Sequence, residues 1–239
     1  MPKVVVMSDI HGNLAALKTV LQDAATRNVD GYACLGDVVG YGPHPGECLD
    51  LLRELDCRIL QGNHEAALLN EPTAGRFNEF ARLAIEYSRG VIKEEQYEFL
   101  KTLEPTMVIG EEIQLSHGSP EDRDEYLIFL PQIEGMLNHA RYWLTFCGHS
   151  HLQFVHDGSR FSAGPVEGMH LEYDRRYLIN PGSVGQPRDR DTRSAYCVVD
   201  TSEALLDQIR LEYDIEETIA AYQEAGLPEY SWRRLRDGR

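Results

Sequence analysis

Five short polar stretches of this sequence carry side chains that commonly bind metal ions in proteins. They are Ser8–Gly12, Gly36-Asp37, Gly62–Glu65, His117-Gly118 and Gly148–His151. A single histidine in such a loop is more often structural, so no one stretch is decisive. As a set they supply carboxylate, imidazole and amide groups, which suit transition-metal ions such as Mn, Fe and Zn. The candidate ligands are Asp9, His11, Asp37, Asn63, His117, His149 and His151.

The number of these ligands predicts a site for two metal ions. Asp37 has two carboxylate oxygens and could contact both ions, whereas Asn63 would contribute a neutral amide oxygen. One ion would take Asp9, His11, Asp37 and His151, and the other Asp37, Asn63, His117 and His149. Four protein ligands for each ion leave room for water and for substrate oxygens. We expect His149 and His151 to project the same way because they alternate along an extended segment.

Each polar stretch directly follows an apolar run that is typical of a buried strand. In the first third of the chain, apolar runs at 4–7, 32–35 and 57–60 alternate with segments of helical spacing at 14–24 and 46–55. This β-α-β-α-β order predicts a parallel sheet with helices on its faces. In open α/β sheets, binding sites form beyond the carboxyl ends of the strands. Polar loops that are far apart in sequence should therefore converge at one edge.

The pattern changes after the third strand. Residues 65–103 are polar and of helical spacing, with the clearest helix at Arg76–Arg89, and a hairpin with a two-residue turn at Gly110-Glu111 leads to His117. A helix at 133–141 precedes a strand at 144–147, and further strands are expected at 153–156, 177–179, 195–199 and 205–213. We expect a single domain over residues 1–239, with a helical insertion at about 65–103 and a terminal helix at about 214–226.

Composition narrows the class of protein. The 239 residues are 42% hydrophobic and 26% charged, which are ordinary values for a globular chain. The net charge of −16 argues against a long nucleic acid as partner, since phosphate binding needs basic stripes, but it allows a small phosphorylated substrate. Five cysteines without C-x-x-C spacing, no signal peptide and no membrane-length apolar run favour a reduced, cytoplasmic protein. The sequence allows a homo-oligomer.

In this order, Asp-x-His, Gly-Asp, Gly-Asn-His-Glu, His-Gly and Gly-His-Ser-His resemble the signature of the calcineurin-like metallophosphoesterases, over Val4 to His151. The resemblance implies an α/β fold, a four-layer α/β/β/α sandwich with two facing mixed sheets and a dinuclear metal site at the carboxyl ends of the strands. It implies two divalent ions (Mn, Fe, Zn or Ni), with Asp37 as the bridging ligand. It also implies that a metal-bridging hydroxide attacks a phosphodiester or phosphomonoester in line, with His64 as the acid or the stabiliser of the transition state.

One departure from the family pattern narrows the resemblance. Protein Ser/Thr phosphatases and diadenosine-tetraphosphate hydrolases continue Gly-Asp with a loop that contains Asp-Arg-Gly. The corresponding loop, Gly36–Pro43, contains no arginine. The chain is more similar to the small bacterial and archaeal members of phosphodiesterase type, whose late Asn-Pro-Gly-Ser motif occurs here at Asn180–Ser183.

Several residues are candidates for substrate contact, each with a structural alternative. Asn63 could touch substrate while it holds metal, and His44 could line the cleft together with Tyr41. Asn180 could lie near the metals or simply form a turn. Arg188 could bind a substrate phosphate, or belong with Arg190 and Arg193 to a solvated loop that pairs with its own aspartates.

Two other functions are compatible with the same fold. One is a regulatory protein that binds metal or nucleotide without turnover, which would be expected to lose Asp37 or His64. The other is a nuclease, which the acidic composition disfavours. Because both residues are present, we expect a metal-dependent phosphoesterase.

Overall fold

The structure, a computed structural model, describes residues 3–70 and 77–239. The strands are β1 Lys3–Met7, β2 Gly31–Cys34, β3 Arg58–Ile59, β4 Thr106–Ile109, β5 Ile113–Ser116, β6 Leu144–Phe146, β7 Gln153–His156, β8 Phe161–Ala163, β9 Met169–His170, β10 Tyr177–Pro181, β11 Ser194–Asp200 and β12 Leu205–Leu211. The helices are α1 Leu14–Ala25, α2 Pro45–Glu54, α3 Asn63–Leu68, α4 Glu79–Val91, α5 Glu94–Leu100, α6 Leu130–His139, α7 Ile215–Glu224 and α8 Glu229–Arg233, followed by a 3-10 turn at Arg234–Arg236.

The strands form two sheets of six strands each. The first has the order β3-β2-β1-β11-β12-β9 and the second the order β4-β5-β6-β10-β7-β8. In the first sheet, β1, β2 and β3 are parallel and the remaining pairs are antiparallel. In the second, β5, β6 and β10 are parallel and the outer pairs are antiparallel. Both sheets are therefore mixed, and the predicted α/β fold with two mixed sheets is confirmed.

Alternate residues of β1 show how the layers are stacked. Val4 and Val6 lie between the sheets, in a cluster with Leu115, Phe146 and Ile179 of the second sheet. Val5 and Met7 face the opposite way and pack against the helices α1 and α2, which contribute Leu17, Val20, Leu49 and Leu52. On the outer face of the second sheet, Ile133 and Leu137 of α6 pack on Phe154 and Leu178. The order of layers is helix, sheet, sheet, helix.

Side chains at the helix ends explain where three helices begin. Asn13 accepts a hydrogen bond from the backbone N–H of Ala16 at 3.1 Å and caps α1. Asn78 caps α4 in the same way, and Asp214 caps α7. Each cap satisfies a backbone N–H that has no partner inside the helix.

Among the described residues, no helix is long and apolar enough to cross a membrane.

Two expectations about local structure need correction. The hairpin of β4 and β5 pairs Ile109 with Ile113, so its turn has three residues and not two. Gly110, the first residue of this turn, adopts a φ of +61°, which glycine allows without a steric penalty. The helix expected at 133–141 is α6, which begins earlier, at Leu130, because Pro131 is tolerated in a first helical turn. The predicted helix start at Arg76 lies outside the described residues.

Candidate dinuclear metal centre

Backbone hydrogen bonds between loops hold the predicted ligands at one edge of the two sheets. The loop after β1 is bonded to the loop after β2, because Asp9 N–H donates to Gly36 O at 3.1 Å and His11 N–H to Asp37 O at 2.9 Å. In the second sheet, Gly148 N–H donates to His117 O at 2.7 Å and joins the loops after β5 and β6. The predicted convergence of polar loops at the carboxyl ends of parallel strands is thus observed.

Asp9, His11 and His151 form the first group of potential ligands. His11 Nε2 and His151 Nε2 are 3.2 Å apart, and Asp9 Oδ1 lies 3.2 Å from His151 Nε2 and 4.0 Å from His11 Nε2. One ligand atom from each residue lies within 4.8 Å of the others. All three residues are buried. This spacing suits a single cation among the three side chains.

Asp37, His117 and His149 form the second group, again with ligand atoms within 4.8 Å of one another. His117 Nε2 lies 3.2 Å from His149 Nδ1 and 2.9 Å from the Asn63 side-chain oxygen. Asp37 Oδ2 lies 3.3 Å from His117 Nε2 and 3.7 Å from His11 Nε2 of the first group. One carboxylate oxygen of Asp37 therefore stands between the two groups, the position that a bridging ligand would need.

The hydrogen bonds of the imidazole rings test whether these groups fit a cation. His11 Nδ1 faces Val39 O at 3.1 Å, His117 Nδ1 faces Leu35 O at 2.8 Å, and His151 Nδ1 faces Gln186 O at 2.5 Å. A carbonyl only accepts, so each Nδ1 carries a proton, and in its neutral form each ring turns an Nε2 lone pair inward.

The lone pairs that face each other need a positive charge between them. At 3.2 Å, the Nε2 atoms of His11 and His151 are two acceptors in contact, and Asp9 Oδ1 beside them accepts no hydrogen bond from the described residues. Backbone carbonyls that orient histidines in this way are typical of metal sites. The donor set of nitrogen and carboxylate oxygen suits a transition-metal ion. The residues present therefore fit the implied metal ions.

Comparison with known proteins gives the family. Residues 2–204 match the model of the calcineurin-like phosphoesterase superfamily domain. The chain belongs to this superfamily. It is also 37% identical over 241 residues to the uncharacterized protein MJ0912 of Methanocaldococcus jannaschii, covering 99% of this chain and 98% of that protein.

Solved structures agree with this assignment to the calcineurin-like phosphoesterases. The metallophosphoesterase from Sphaerobacter thermophilus is 34% identical, with a TM-score of 0.88 that covers 100% of this chain and 99% of that chain. The hypothetical protein PH1004 from Pyrococcus horikoshii OT3 has a TM-score of 0.83 at 20% identity, over 99% of this chain and 98% of that chain. The second likeness shows a shared fold alone.

His64 lies beside both groups and forms a third group of potential ligands with His11 and Asp37. Its Nε2 is 3.9 Å from Asp37 Oδ2. The centroid of its ring lies 4.6 Å from that of His11, 4.7 Å from that of Tyr41 and 4.8 Å from that of Phe77. The buried Nδ1 atom makes no hydrogen bond within the described part of the chain. A buried nitrogen without a partner is rare in proteins, and this one is the feature of His64 that calls for an explanation.

Glu65 is a buried residue beside the two groups to which sequence reasoning assigned no role. Its carboxylate is fully buried and accepts the backbone N–H groups of Asp37, Val38, Val39 and Gly62 at 2.8–3.0 Å. It therefore fixes the loop after β2 against the start of α3. Burial, and then the charge of Asp37, raise the pKa of Glu65 to about 7, while the backbone N–H groups act in the opposite direction. The Gly-Asn-His-Glu motif was the only sequence signal for this position.

Burial and charge act against each other on the ionisable groups of the centre. Burial lowers the pKa of His149 to about 3 and that of His64 to about 4. It also opposes the charged form of His117, but the adjacent Asp37 carboxylate raises the pKa of His117 to about 9. Burial works against the ionised form of Asp9, yet His151 beside it holds the pKa of Asp9 well below its usual value. The two carboxylates thus make this buried region favourable for cations.

The pairing of His149 with His151 has a different cause from the one expected. Neither residue lies in an extended segment, since their φ angles are +62° and +60°. They also serve different groups, because His149 faces His117 and His151 faces His11. Left-handed backbone at alternate residues therefore turns the two side chains toward the centre.

Asn180 supports the histidine loop from below. Its amide nitrogen donates to Gly148 O and to the Ser150 hydroxyl, both at 3.0 Å, and its amide oxygen accepts the Gly182 N–H at 2.9 Å. The side chain is fully buried. Asn180 therefore holds the Gly148–His151 loop in place, and its side chain does not face the cleft. Ser183 is used similarly, since its hydroxyl donates to Asp9 O at 2.7 Å.

Two tyrosines and Arg188 form the rim of the centre. Tyr41 packs edge-on against His11 with ring centroids 4.7 Å apart, and the Tyr126 ring lies 3.8 Å from that of His149. The Arg188 guanidinium lies 5.8 Å from the Tyr41 ring centroid. We call these three residues the rim. Tyr126 was not predicted, because no motif in the sequence contains it.

The alternative of a self-paired arginine loop holds for part of the loop. Arg193 pairs with Asp191 at 2.7 Å, but Arg188 donates to Gln186 Oε1 at 3.0 Å and, among the described residues, pairs with no carboxylate. His44 lies apart from the cluster. Its partly exposed ring faces Glu47 at 3.3 Å at the start of α2.

Proposed function

We propose that this chain is a metal-dependent phosphoesterase that hydrolyses a small phosphodiester, with a phosphomonoester as the second choice of substrate. One observation carries the proposal: Asp37 Oδ2 lies 3.7 Å from His11 Nε2 and 3.3 Å from His117 Nε2, one from each group of potential ligands, and 3.9 Å from His64 Nε2. The other ring nitrogen of His64, Nδ1, has no partner among the described residues. Membership of the calcineurin-like phosphoesterases supports the same class of reaction.

In this proposal, Asp9, His11, Asp37 and His151 hold one divalent ion, and Asp37, Asn63, His117 and His149 hold the other. Mn, Fe, Zn and Ni all suit such ligands. When bound, two divalent cations supply Lewis-acid activation of water and neutralise charge on phosphate oxygens.

The side chains of this chain would perform the remaining tasks. Asp37 faces both groups and would keep the two ions at a fixed separation. His64 would donate a hydrogen bond to the phosphate, or a proton to the leaving oxygen, because its ring is held in place by Tyr41 and Phe77. Arg188 at the rim would bind a phosphate oxygen through charge-assisted hydrogen bonds. Burial of the whole centre strengthens each of these interactions.

The test is hydrolysis of paired chromogenic phosphate mono- and diesters by protein that is stripped of metal and refilled with Mn²⁺, Ni²⁺ or Zn²⁺. We expect turnover that depends on the added ion and is faster with the diester. Folded protein that hydrolyses neither ester with any of these ions would exclude the enzyme function.

Two variants separate metal binding from chemistry. Asp37→Asn should lose metal occupancy and activity together, because both ligand groups share Asp37 Oδ2. His64→Ala should keep both ions and lose about 10²–10⁴-fold in rate, the usual contribution of a proton-transferring side chain. His139→Ala, at an exposed histidine of α6, is the matched control and should leave both unchanged. Full activity in His64→Ala would refute the role of His64.

A further inference from the structure

A cleft of about 430 Å³ lies at the edge of the second sheet, where β7 begins and β8 ends. Six apolar side chains form its wall, namely Leu127, Ile128, Ile133, Leu152, Phe154 and Phe161. Ile128 and Phe161 are 44% and 39% exposed, so apolar surface at this cleft is open to solvent. Concave sites of about 300–1,000 Å³ with mainly apolar walls are typical of small-molecule binding. We call this feature the apolar cleft.

The apolar cleft adjoins the metal centre along three separate loops. Each loop carries a residue of the centre or its rim and, directly after it, a residue that lines the apolar cleft. The pairs are Tyr126-Leu127, His151-Leu152 and Arg188-Asp189. Successive Cα atoms are about 3.8 Å apart, so on each loop the two sites are separated by a single residue step. The centre and the apolar cleft therefore share a boundary.

Tyr126 marks the side on which the two sites meet. Its ring lies against that of His149, with centroids 3.8 Å apart, while the residue remains exposed. The Ile128 N–H donates to Tyr126 O at 3.2 Å, which closes a three-residue turn and keeps Ile128 near Tyr126. A substituent that leaves the centre past Tyr126 thus meets the apolar wall.

The charged side chains of the apolar cleft are already paired. Asp189 pairs with Arg210, whose Nε also donates to Gln153 Oε1 at 2.8 Å. Asp191 pairs with Arg193 at 2.7 Å. A charged group of a ligand would find its counter-ion already engaged, and burial of a charge without a partner is costly. The apolar cleft therefore favours an uncharged group.

We propose that the apolar cleft binds the part of the substrate that is not phosphate, and that the substrate is a phosphate ester of an alcohol with an uncharged, apolar or aromatic chain. The inference rests on the proposed function, because it names the substrate class of the same site. The phosphate lies at the metal centre and the chain of the alcohol lies against Ile128 and Phe161. Hydrolysis adds water across the P–O bond and releases that alcohol. Phe161 determines specificity and takes no part in bond cleavage.

Phosphonates test the inference without turnover, because their P–C bond contains no ester oxygen. Full-length, metal-loaded protein is titrated calorimetrically with methylphosphonate, 3-phenylpropylphosphonate and 3-carboxypropylphosphonate. The phenylpropyl compound should bind at least about tenfold more tightly than the methyl compound, since each buried methylene contributes about fourfold. The carboxypropyl compound should gain nothing over methylphosphonate. Equal affinity for the phenylpropyl and carboxypropyl compounds would contradict the preference for an uncharged group.

Phe161→Ala should reduce the preference for phenylpropyl over methyl at least about threefold and leave methylphosphonate binding within about twofold of the wild type. Phe129→Ala is the matched control, because Phe129 follows Ile128, is exposed and lies outside the lining of the apolar cleft. It removes the same ring and should leave the preference unchanged. An unchanged preference in Phe161→Ala would overturn the inference. An equal loss in Phe129→Ala would also overturn it, since any exposed ring would then serve.

A probe without phosphate separates this outcome from that of the proposed function. In protein NMR spectra, 3-phenylpropan-1-ol should shift the amide signals of Leu127, Ile128 and Phe161 and leave that of Ile219 in α7 unchanged. If it does so but the protein hydrolyses no ester, the apolar cleft stands and the hydrolytic function fails. If the protein hydrolyses simple esters but the alcohol shifts none of these signals and the phenyl group adds no affinity, only the apolar cleft is wrong.

Discussion

Replacing Glu65 by glutamine tests whether one buried carboxylate organises the centre. The carboxylate accepts four backbone N–H groups, two on each oxygen: Asp37 and Gly62 bond to Oε2, and Val38 and Val39 bond to Oε1. The Glu65→Gln side chain has the same size and shape. However, it offers one acceptor oxygen and replaces the other by an NH₂ group, which only donates.

The expected cost follows from the bonds that are lost. Whichever way the amide is turned, two of the four backbone N–H groups lose their acceptor and remain buried. A buried donor without a partner costs about 1–3 kcal/mol, so the loss is on the order of 2–6 kcal/mol. Removing a buried negative charge offsets part of this. We expect a net loss of about 2–4 kcal/mol, which is less than the typical stability of about 5–15 kcal/mol and leaves the variant folded.

The assay is urea unfolding of both proteins, with metal content and diester hydrolysis measured on the same samples. Glu65→Gln should unfold at lower urea, bind less metal and lose activity, because the loop that carries Asp37 is no longer fixed. Glu54→Gln, at an exposed position at the end of α2, is the control and should change stability by no more than about 0.5 kcal/mol. If the two variants have the same unfolding midpoint and metal content, the role given to Glu65 is wrong.

Two further predictions concern the ring of His64 and the metal ions. Gly40→Ala should lower activity at least about tenfold and retain bound metal, because its Cβ would lie 2.0 Å from His64 Nδ1 and displace that ring. The φ of Gly40 is also +82°, which disfavours a side chain. The control is Gly135→Ala, where a Cβ would have no atom within 4 Å, and it should raise stability by up to about 1 kcal/mol. Normal hydrolysis by Gly40→Ala would contradict the first expectation. Removing the metal ions with a chelator should lower the thermal unfolding midpoint, and adding Mn²⁺ should restore it, because a ligand that binds only the folded state stabilises that state. A midpoint that is the same with and without chelator would show that the ions do not stabilise the fold.

Much of this architecture followed from local patterns in the sequence. Apolar runs that end in Asp, Asn, Gly or His predicted β1, β2, β3, β5 and β6 and the order of the polar loops, whereas β8 and β9 were not predicted. Because the carboxyl ends of parallel strands share an edge, the loops after β1, β2 and β3 meet in the first sheet and those after β5 and β6 meet in the second. The clustering of the polar loops within each sheet therefore follows from the period and position of residues, whereas the two facing sheets were implied by the family resemblance.

Other features depend on contacts between residues far apart in sequence. Glu65 accepts hydrogen bonds from the backbone of Asp37 and Val39, which are 28 and 26 residues away. Every residue except proline has such a backbone donor, so residue types do not reveal these bonds. The carboxyl-terminal helices lie beside the loop of Arg188 because they pack on α4 and on the Arg190–Asp191 backbone. The turn that begins at Gly110 is a smaller case. It has three residues where two were expected, because the register of β4 and β5 sets the length of the turn.

The backbone of the ligand loops links the fold to the proposed chemistry. Five predicted ligands have left-handed φ angles between +50° and +62°, namely Asp9, His11, Asp37, His149 and His151. Side chains disfavour this conformation by about 1–2 kcal/mol per residue. In the first loop it allows Asp9 and His11 to face the centre while Ile10 between them is buried in the core. Bonds between loops, such as Gly185 N–H to Asp9 O at 3.0 Å, hold the strained turns in place. The free energy needed for these strained turns comes from folding of the rest of the protein. The side chains are therefore already oriented when an ion binds, and little loss of conformational entropy opposes binding.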